Sequence, residues 1–356
     1  MKRWDIFCKI VDNFGDIGIC WRLAQQLQRE HALQVRLFVD DLQTAQKIIP
    51  SLNADKKSQI IENIEINAFQ NNADVTDVVI EAFACGLPDA YKKQMTTNTI
   101  WVNCDYLSAE NWVDDFHGKQ SPQADGLTRY FYFPGFTEKT GGLIREHNLP
   151  LFREVCKNDN TSALKISLFC YPHAPIHHLL TALQANNHAV HVCVPQSSIL
   201  PKIAEFFGKN QVQVGDKLNL NNLTLEILPF LSQADYDDLL RDCDLNFVRG
   251  EDSWLRAIWA GKPFIWQPYL QTEQSHLQKL DAFLNAFYDD CEQKKMLCKA
   301  HGYWAAGQAF EYDNIIWQDY LNALPAIEQF TKQSAAKLML QTDLASRLVG
   351  FCNALA

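Results

Sequence analysis

The sequence predicts an α/β protein made of two successive doubly wound halves. Three observations carry that prediction. A chain of 356 residues exceeds one ordinary hydrophobic core and suits two domains. Strand-like and helix-like patterns alternate from the N-terminus, which implies parallel sheets faced by helices. The alternation pauses in a polar stretch at 146–163 and then begins again.

The first strand is expected at Trp4 to Val11, where β-favouring residues gather. From Ile17 onward, Ile19, Leu23, Ala24 and Leu27 recur at helical spacing, with Arg22, Gln25, Gln26 and Gln28 on the other face. "QVRLFVD" (Gln34 to Asp40) is the next strand and closes a right-handed βαβ unit. "IEINAF", "DVVIEAF" and "TIWVNCD" continue the series. After the polar stretch come the strand "LKISLFCY", the helix "PIHHLLTALQANN" and the strands "AVHVCVP" and "LTLEILPF". The helix "QADYDDLLRDC", the strand "DLNFV", the helix "SWLRAIWAG" and the strand "PFIWQP" follow. From about Ser275 the chain reads as helical. The expected domains are 1–155 and 156–335, with a terminal helix at about 336–356 packing back on the first. Ligands of open parallel sheets bind beyond the carboxyl ends of the strands, and both halves are expected to turn those ends to one cleft. Nucleotide-sugar transferases, two-domain dehydrogenases and periplasmic binding proteins share such a plan, so fold alone does not choose among them.

The formal charge of −10 argues against a nucleic-acid groove, which needs a concentrated basic stripe. It suits a basic macromolecular partner, and it equally serves solubility. Eleven cysteines without a C-x-x-C pair read as reduced, mostly buried thiols, and predict a cytoplasmic protein. Asp5 and Lys9 interrupt the apolar run that a signal peptide requires. No stretch approaches the ~18 apolar residues of a membrane span.

"CDLNFVRGEDSWLRAIWAGKPFIW" (243–266) is the most informative part of the second half. A strand ends in Arg249-Gly250 and a helix starts near Glu251 to Ser253; Gly250 permits the tight turn. The first amides of that helix, at Asp252 and Ser253, favour an anion, and Arg249 can fork onto phosphate oxygens. A diphosphate fits there. Glu251 could accept bonds from sugar hydroxyls, or Glu251, Asp252 and Ser253 could simply cap the helix. In "LPFLSQADYDDLL", Phe230, Leu231, Gln233 and Tyr236 could hold a pyrimidine, with Tyr171 closing the other side; ordinary core packing is the alternative. Asp242-Cys243-Asp244 imitates a metal-binding D-x-D but is expected at the wrong end of the sheet. "HAPIHH" lacks partners at zinc spacing.

"IVDNFGDIGICWRL" (10–23) stands where a dinucleotide fold places G-x-G-x-x-G, yet it offers only Gly15 and Gly18 around Asp16. A carboxylate 4 Å from a phosphate costs on the order of a few kcal/mol, so this turn favours a cation or a proton donor. Asp12 at a strand end and Asp16 at a helix start are both expected to direct carboxylates into the cleft, with Asn13, Phe14 and Gly15 beside the acceptor. An Asx-turn at Asp12 and a helix N-cap at Asp16 are the structural alternatives.

"DIFCKIVDNFGDIGICWRLAQQL", "YFYFPGFTEKTGGLIRE" and "LPFLSQADYDDLLRDCDLNFVRGEDSWLRAIWAGKPFIWQPY" closely resemble the protein-arginine rhamnosyltransferases that modify translation elongation factor P, the EarP family. The resemblance implies a GT-B fold of two Rossmann-like domains. It implies transfer of L-rhamnose from dTDP-β-L-rhamnose to one arginine of elongation factor P, with inversion and without a metal, activating that factor for stalled polyproline synthesis. Carried over by position, Asp12 and Asp16 match the family's acidic pair and Glu251 its donor-side acid. Tyr171, Phe230, Gln233, Tyr236, Arg249, Gly250, Asp252 and Ser253 fall where the family binds the dTDP part. The alternatives are another nucleotide-sugar transferase of the same fold or a non-enzymatic protein that binds a basic ligand.

Overall fold

The computed structural model describes residues 3–12, 14–70, 73–150, 152, 163–271, 274–306 and 315–356. The chain forms two compact units, Met1–Leu149 with Leu338–Ala356, and Pro150–Lys337.

In the first unit the order is β1 (Arg3–Cys8), α1 (Gly15–His31), β2 (Gln34–Val39), α2 (Leu42–Ile48), β3 (Ser58–Ile61) and β4 (Ile64–Ala68). Then come β5 (Val78–Ala82), α3 (Asp89–Lys92), β6 (Ile100–Cys104), α4 (Trp112–Phe116), β7 (Gln120–Pro122) and β8 (Thr128–Tyr132). The sheet runs β3-β4-β2-β1-β5-β6-β8-β7, antiparallel only in the outer hairpins β3–β4 and β7–β8. Its parallel strands therefore reverse order between β1 and β5, as a Rossmann sheet does. The first strand is shorter than its sequence predicts. Beyond Cys8 the amides of Ile10 and Val11 leave the ladder for carboxylates of Asp40 and Asp16. In the core, Phe7 stacks on Phe38 at 4.5 Å, and buried Asp5 receives a two-pronged bond from Arg36.

The second unit holds β9 (Leu164–Leu168), α5 (Ile176–Gln184), β10 (Val190–Pro195), α6 (Leu200–Phe206), β11 (Lys217–Leu220) and β12 (Leu223–Leu228). It continues with α7 (Gln233–Asp242), β13 (Leu245–Arg249), α8 (Asp252–Ala260) and β14 (Phe264–Gln267). The sheet order is β11-β12-β10-β9-β13-β14, reversing between β9 and β13, with only β11 antiparallel. The helices α9 (Ser275–Tyr288), α10 (Lys294–Ala306), α11 (Ile316–Asn322) and α12 (Leu324–Met339) follow, and Trp254 of α8 stacks on Trp266 at 3.7 Å.

The terminal helix α13 (Leu344–Leu355) packs on α1 within the first unit and is separate from α12. Asp343 caps it through the Ser346 amide, and Leu344 N–H reaches the Leu143 carbonyl at 2.9 Å. Gly142 makes this approach possible. Its φ is +75°, and a Cβ there would lie 2.8 Å from the Thr342 carbonyl oxygen. Among the described residues no helix is long and apolar enough to cross a membrane. Most of the polar stretch at 146–163 lies outside the described residues.

Candidate active site

In an open α/β sheet the ligand position is set by the point where strand order reverses. In the first unit that point is the end of β1. Three successive amides gather there. Ile10 N–H donates to Asp40 Oδ1 at 2.9 Å, while Val11 and Asp12 N–H donate to Oδ2 of Asp16 at 2.7 and 2.9 Å. A phosphate-binding turn would offer such amides to its ligand. Here the chain's own carboxylates take them, so these amides are not offered to a ligand.

Asp16 is only 2% exposed. Desolvation pushes its carboxyl above the usual range, with Asp40 adding to the rise and bonds from Val11, Asp12 and Tyr106 opposing it. The sequence predicts both carboxylates pointing into the cleft, with Asp16 as an N-cap the alternative. The N-cap alternative does not describe Asp16. Phe14 is the N-cap of α1, and Asp16, inside the first turn, folds one oxygen back onto the loop. Asp12 is half-buried, and its carbonyl accepts the Gly15 N–H at 2.8 Å. A Cβ at Gly15 would lie 3.3 Å from the Asp12 carboxylate, so the glycine leaves room for that side chain. Asn13 lies outside the described residues.

Tyr106 escapes the sequence reading. It follows β6 by two residues, reaches Asp16 and stacks on Phe83 at 4.3 Å. Phe83 and Ala84 both have left-handed backbones, at φ 57° and 51°. Their position at a strand's carboxyl end is the signal that points to this loop.

In the second unit the reversal lies between β9 and β13. Arg249 ends β13, and its guanidinium carbon sits 4.3 Å from the Phe169 ring centroid and 4.8 Å from that of Tyr171. Its Nη1 also donates to the Cys170 carbonyl at 3.3 Å. Gly250 then turns the chain at φ +62°, a conformation costly to any residue with a Cβ. Glu251 occupies the N-cap of α8 without a side-chain capping bond, so the capping alternative does not describe it. Asp252 accepts from Gln233 Nε2 at 3.2 Å, joining the starts of α8 and α7.

Two predicted ligand contacts are engaged otherwise. The Ser253 hydroxyl accepts the Arg249 N–H at 3.0 Å and donates to the Arg249 carbonyl, closing the turn rather than facing outward. Tyr171 is only 8% exposed, has Arg249 over its ring, and donates its backbone N–H to Gln267 Oε1 at 2.7 Å. It serves as a seat for the arginine. Leu231 and Tyr236 pack against Cys193, Leu239 and Cys243, as the core alternative has it, while Phe230 stays half-buried before α7. The Tyr236 ring also meets Phe169 edge-on at 5.6 Å. Asp242 and Asp244 stand at the amino end of β13, away from the reversal point, and Asp244 is bonded to Lys165 N–H at 2.9 Å.

Residues 4–353 match the family described as Elongation-Factor P (EF-P) rhamnosyltransferase EarP. The chain belongs to the EarP family. A protein-arginine rhamnosyltransferase of Pseudomonas putida is 39% identical, covering 98% of this chain and 98% of its own length. Its counterpart from Shewanella oneidensis is 38% identical over 98% and 97%. Among solved structures, one described as the structural basis for EarP-mediated arginine glycosylation of translation elongation factor EF-P is 31% identical. It has a TM-score of 0.68 and covers 99% of both chains. MurG of Acinetobacter baumannii, 11% identical with a TM-score of 0.54 over 99% of both chains, shares the fold alone. The fold is of GT-B type, and the enzyme is a protein-arginine rhamnosyltransferase.

One further feature of this EarP chain is silent in the sequence. Arg256 of α8 pairs through two nitrogens with Asp237 of α7, at 3.0 and 2.7 Å, and the arginine is only 4% exposed. The pair locks the two helices whose starts carry Gln233, Glu251 and Asp252.

Proposed function

We propose that this enzyme moves L-rhamnose from dTDP-β-L-rhamnose to one arginine of translation elongation factor P in the cytoplasm, inverting the anomeric carbon and using no metal. The observation that carries this reading is the pair of loop amides held by Asp16: a turn that nucleotide folds keep for phosphate is acidic and closed to anions. An acceptor guanidinium suits it. The second unit, with Arg249 seated on Phe169 and Tyr171 beside the start of α8, suits the diphosphate.

A guanidinium with pKa above ~12 is a poor nucleophile, because its lone pairs are delocalised. Asp12 would hold the fork and localise the lone pair on one nitrogen. That nitrogen attacks C1 of rhamnose as the C1–O bond to the diphosphate breaks, and dTDP leaves with the electron pair. Asp16 takes the proton as the nitrogen grows acidic, a task helped by the raised affinity that burial gives it. Arg249 and the α8 start would stabilise the departing anion, and Glu251 would orient the sugar. Phe230 and Gln233 would hold the thymine end.

The two amide bonds to Asp16 favour a second reading, in which Asp16 holds the loop and Asp12 is the base. Asp16→Asn separates them, since an amide oxygen can still accept both N–H groups. Incubation with dTDP-rhamnose and elongation factor P, read by intact mass, should show wild-type transfer and at least a 100-fold loss in Asp16→Asn. Near-normal transfer by that variant moves the base to Asp12; no transfer by the wild type refutes the substrate pair.

A further inference from the structure

We propose that Glu30, His31, His147 and Asp343 bind one divalent transition-metal ion of the zinc class, which fastens the C-terminal helix to α1. Ligand atoms of Glu30, His31 and Asp343 lie within 4.8 Å of one another. His147 Nε2 stands 3.7 Å from Glu30 Oε2 and 3.9 Å from Asp343 Oδ2. Two imidazoles and two carboxylates make a four-ligand set of the kind zinc accepts.

Charge is the first reason. Asp343 is 4% exposed and the Glu30 side chain 12%, and among the described residues no lysine or arginine meets either carboxylate. The hydrogen-bond donors that reach them belong to uncharged groups. Gln26 Nε2 donates to Glu30 Oε2 at 2.8 Å and to Asp343 Oδ1 at 2.9 Å, and Ser346 Oγ donates to Asp343 Oδ2 at 2.7 Å. Two adjacent, nearly buried carboxylates that no lysine or arginine meets among the described residues, with imidazoles beside them, form a place where a divalent cation is favoured.

Preorganisation is the second reason. The backbone N–H of His147 holds the other Glu30 oxygen at 2.8 Å, and Ser346 Oγ lies 3.4 Å from His31 Nε2, so Glu30, Asp343 and His31 are oriented by outer groups, while the exposed His147 ring is free to close on an ion. Gln26 itself is 1% exposed, and its Nε2, which faces both carboxylates, also lies 2.9 Å from the Arg145 carbonyl oxygen, so the amide is fixed in place. The site stands about 20 Å along α1 from Asp16, by the rise of a helix over fourteen residues, so the ion's role is to hold α13 and not to act in transfer.

Cobalt(II) is the probe, added to the full chain after chelator treatment. We expect one ion per chain, visible d–d bands without sulfur-to-cobalt charge transfer, and a thermal midpoint raised by roughly 4 °C. Glu30→Gln and His31→Ala should each weaken binding at least ten-fold while the apo variants keep their fold by circular dichroism. Asp343→Asn should do the same, because asparagine preserves the α13 cap. Absence of stoichiometric binding, a thiolate band, or binding untouched by all three substitutions overturns the site.

Discussion

Asp16 is asked to hold a loop and to accept a proton with the same carboxylate. The two amide bonds favour its charged form and burial opposes it; burial is the larger influence, and the carboxyl is raised. As the proposed base it must be deprotonated, so kcat/KM should fall as pH drops through a limb lying above the ordinary aspartate value near 4. The Tyr106 bond favours the charged form, so Tyr106→Phe should move that limb to higher pH. A limb that stays in place would separate Tyr106 from the base. The acidity of this turn is legible in the sequence because glycines are missing where phosphate would need them. The direction of the Asp16 side chain is not, since a helix start accommodates a carboxylate turned forward or backward equally well. Tyr171 and Ser253 show the same limit: residue type marks the right turn, while the partner that claims each group comes from other strands.

At the scale of elements, the Asp237–Arg256 pair governs how α7 and α8 meet. Arg256→Ala leaves a buried carboxylate without its counter-ion and should cost about 3–5 kcal/mol. Urea unfolding followed through the stacked Trp254 and Trp266 reports on the same unit. Replacing both partners together, Asp237→Leu with Arg256→Met, should recover most of the loss. If the double variant is as unstable as Arg256→Ala, the pair contributes more than charge compensation. The alternation of strands and helices that builds both sheets was open to reading because buried parallel strands form apolar runs. The edge strands β3 and β7, "SQII" and "QSP", carry no such run, and only their hairpin partners reveal them. Nothing local announces a pair separated by nineteen residues on two helices.

For the whole molecule, the same doubly wound scheme is used twice with opposite polarity at its reversal point. In the first unit, carboxylates take the amides of the β1 turn; in the second, Arg249 and a helix start stand at the β13 turn, where the proposed diphosphate would lie. Negative net charge hints at a cationic acceptor but does not say which unit meets it. The placement of α13 on the first unit follows from the close approach of Gly142 to Thr342 and the Leu344–Leu143 hydrogen bond, contacts that join positions some two hundred residues apart. Calorimetric titration of the full chain with dTDP tests the division most directly. Arg249→Ala should weaken binding by about 10- to 100-fold, the worth of a charged hydrogen-bonding group, whereas Asp12→Asn and Asp16→Asn should leave affinity within about two-fold of wild type. Unchanged affinity in Arg249→Ala, or tighter binding once the first-unit aspartates lose their charge, would contradict it.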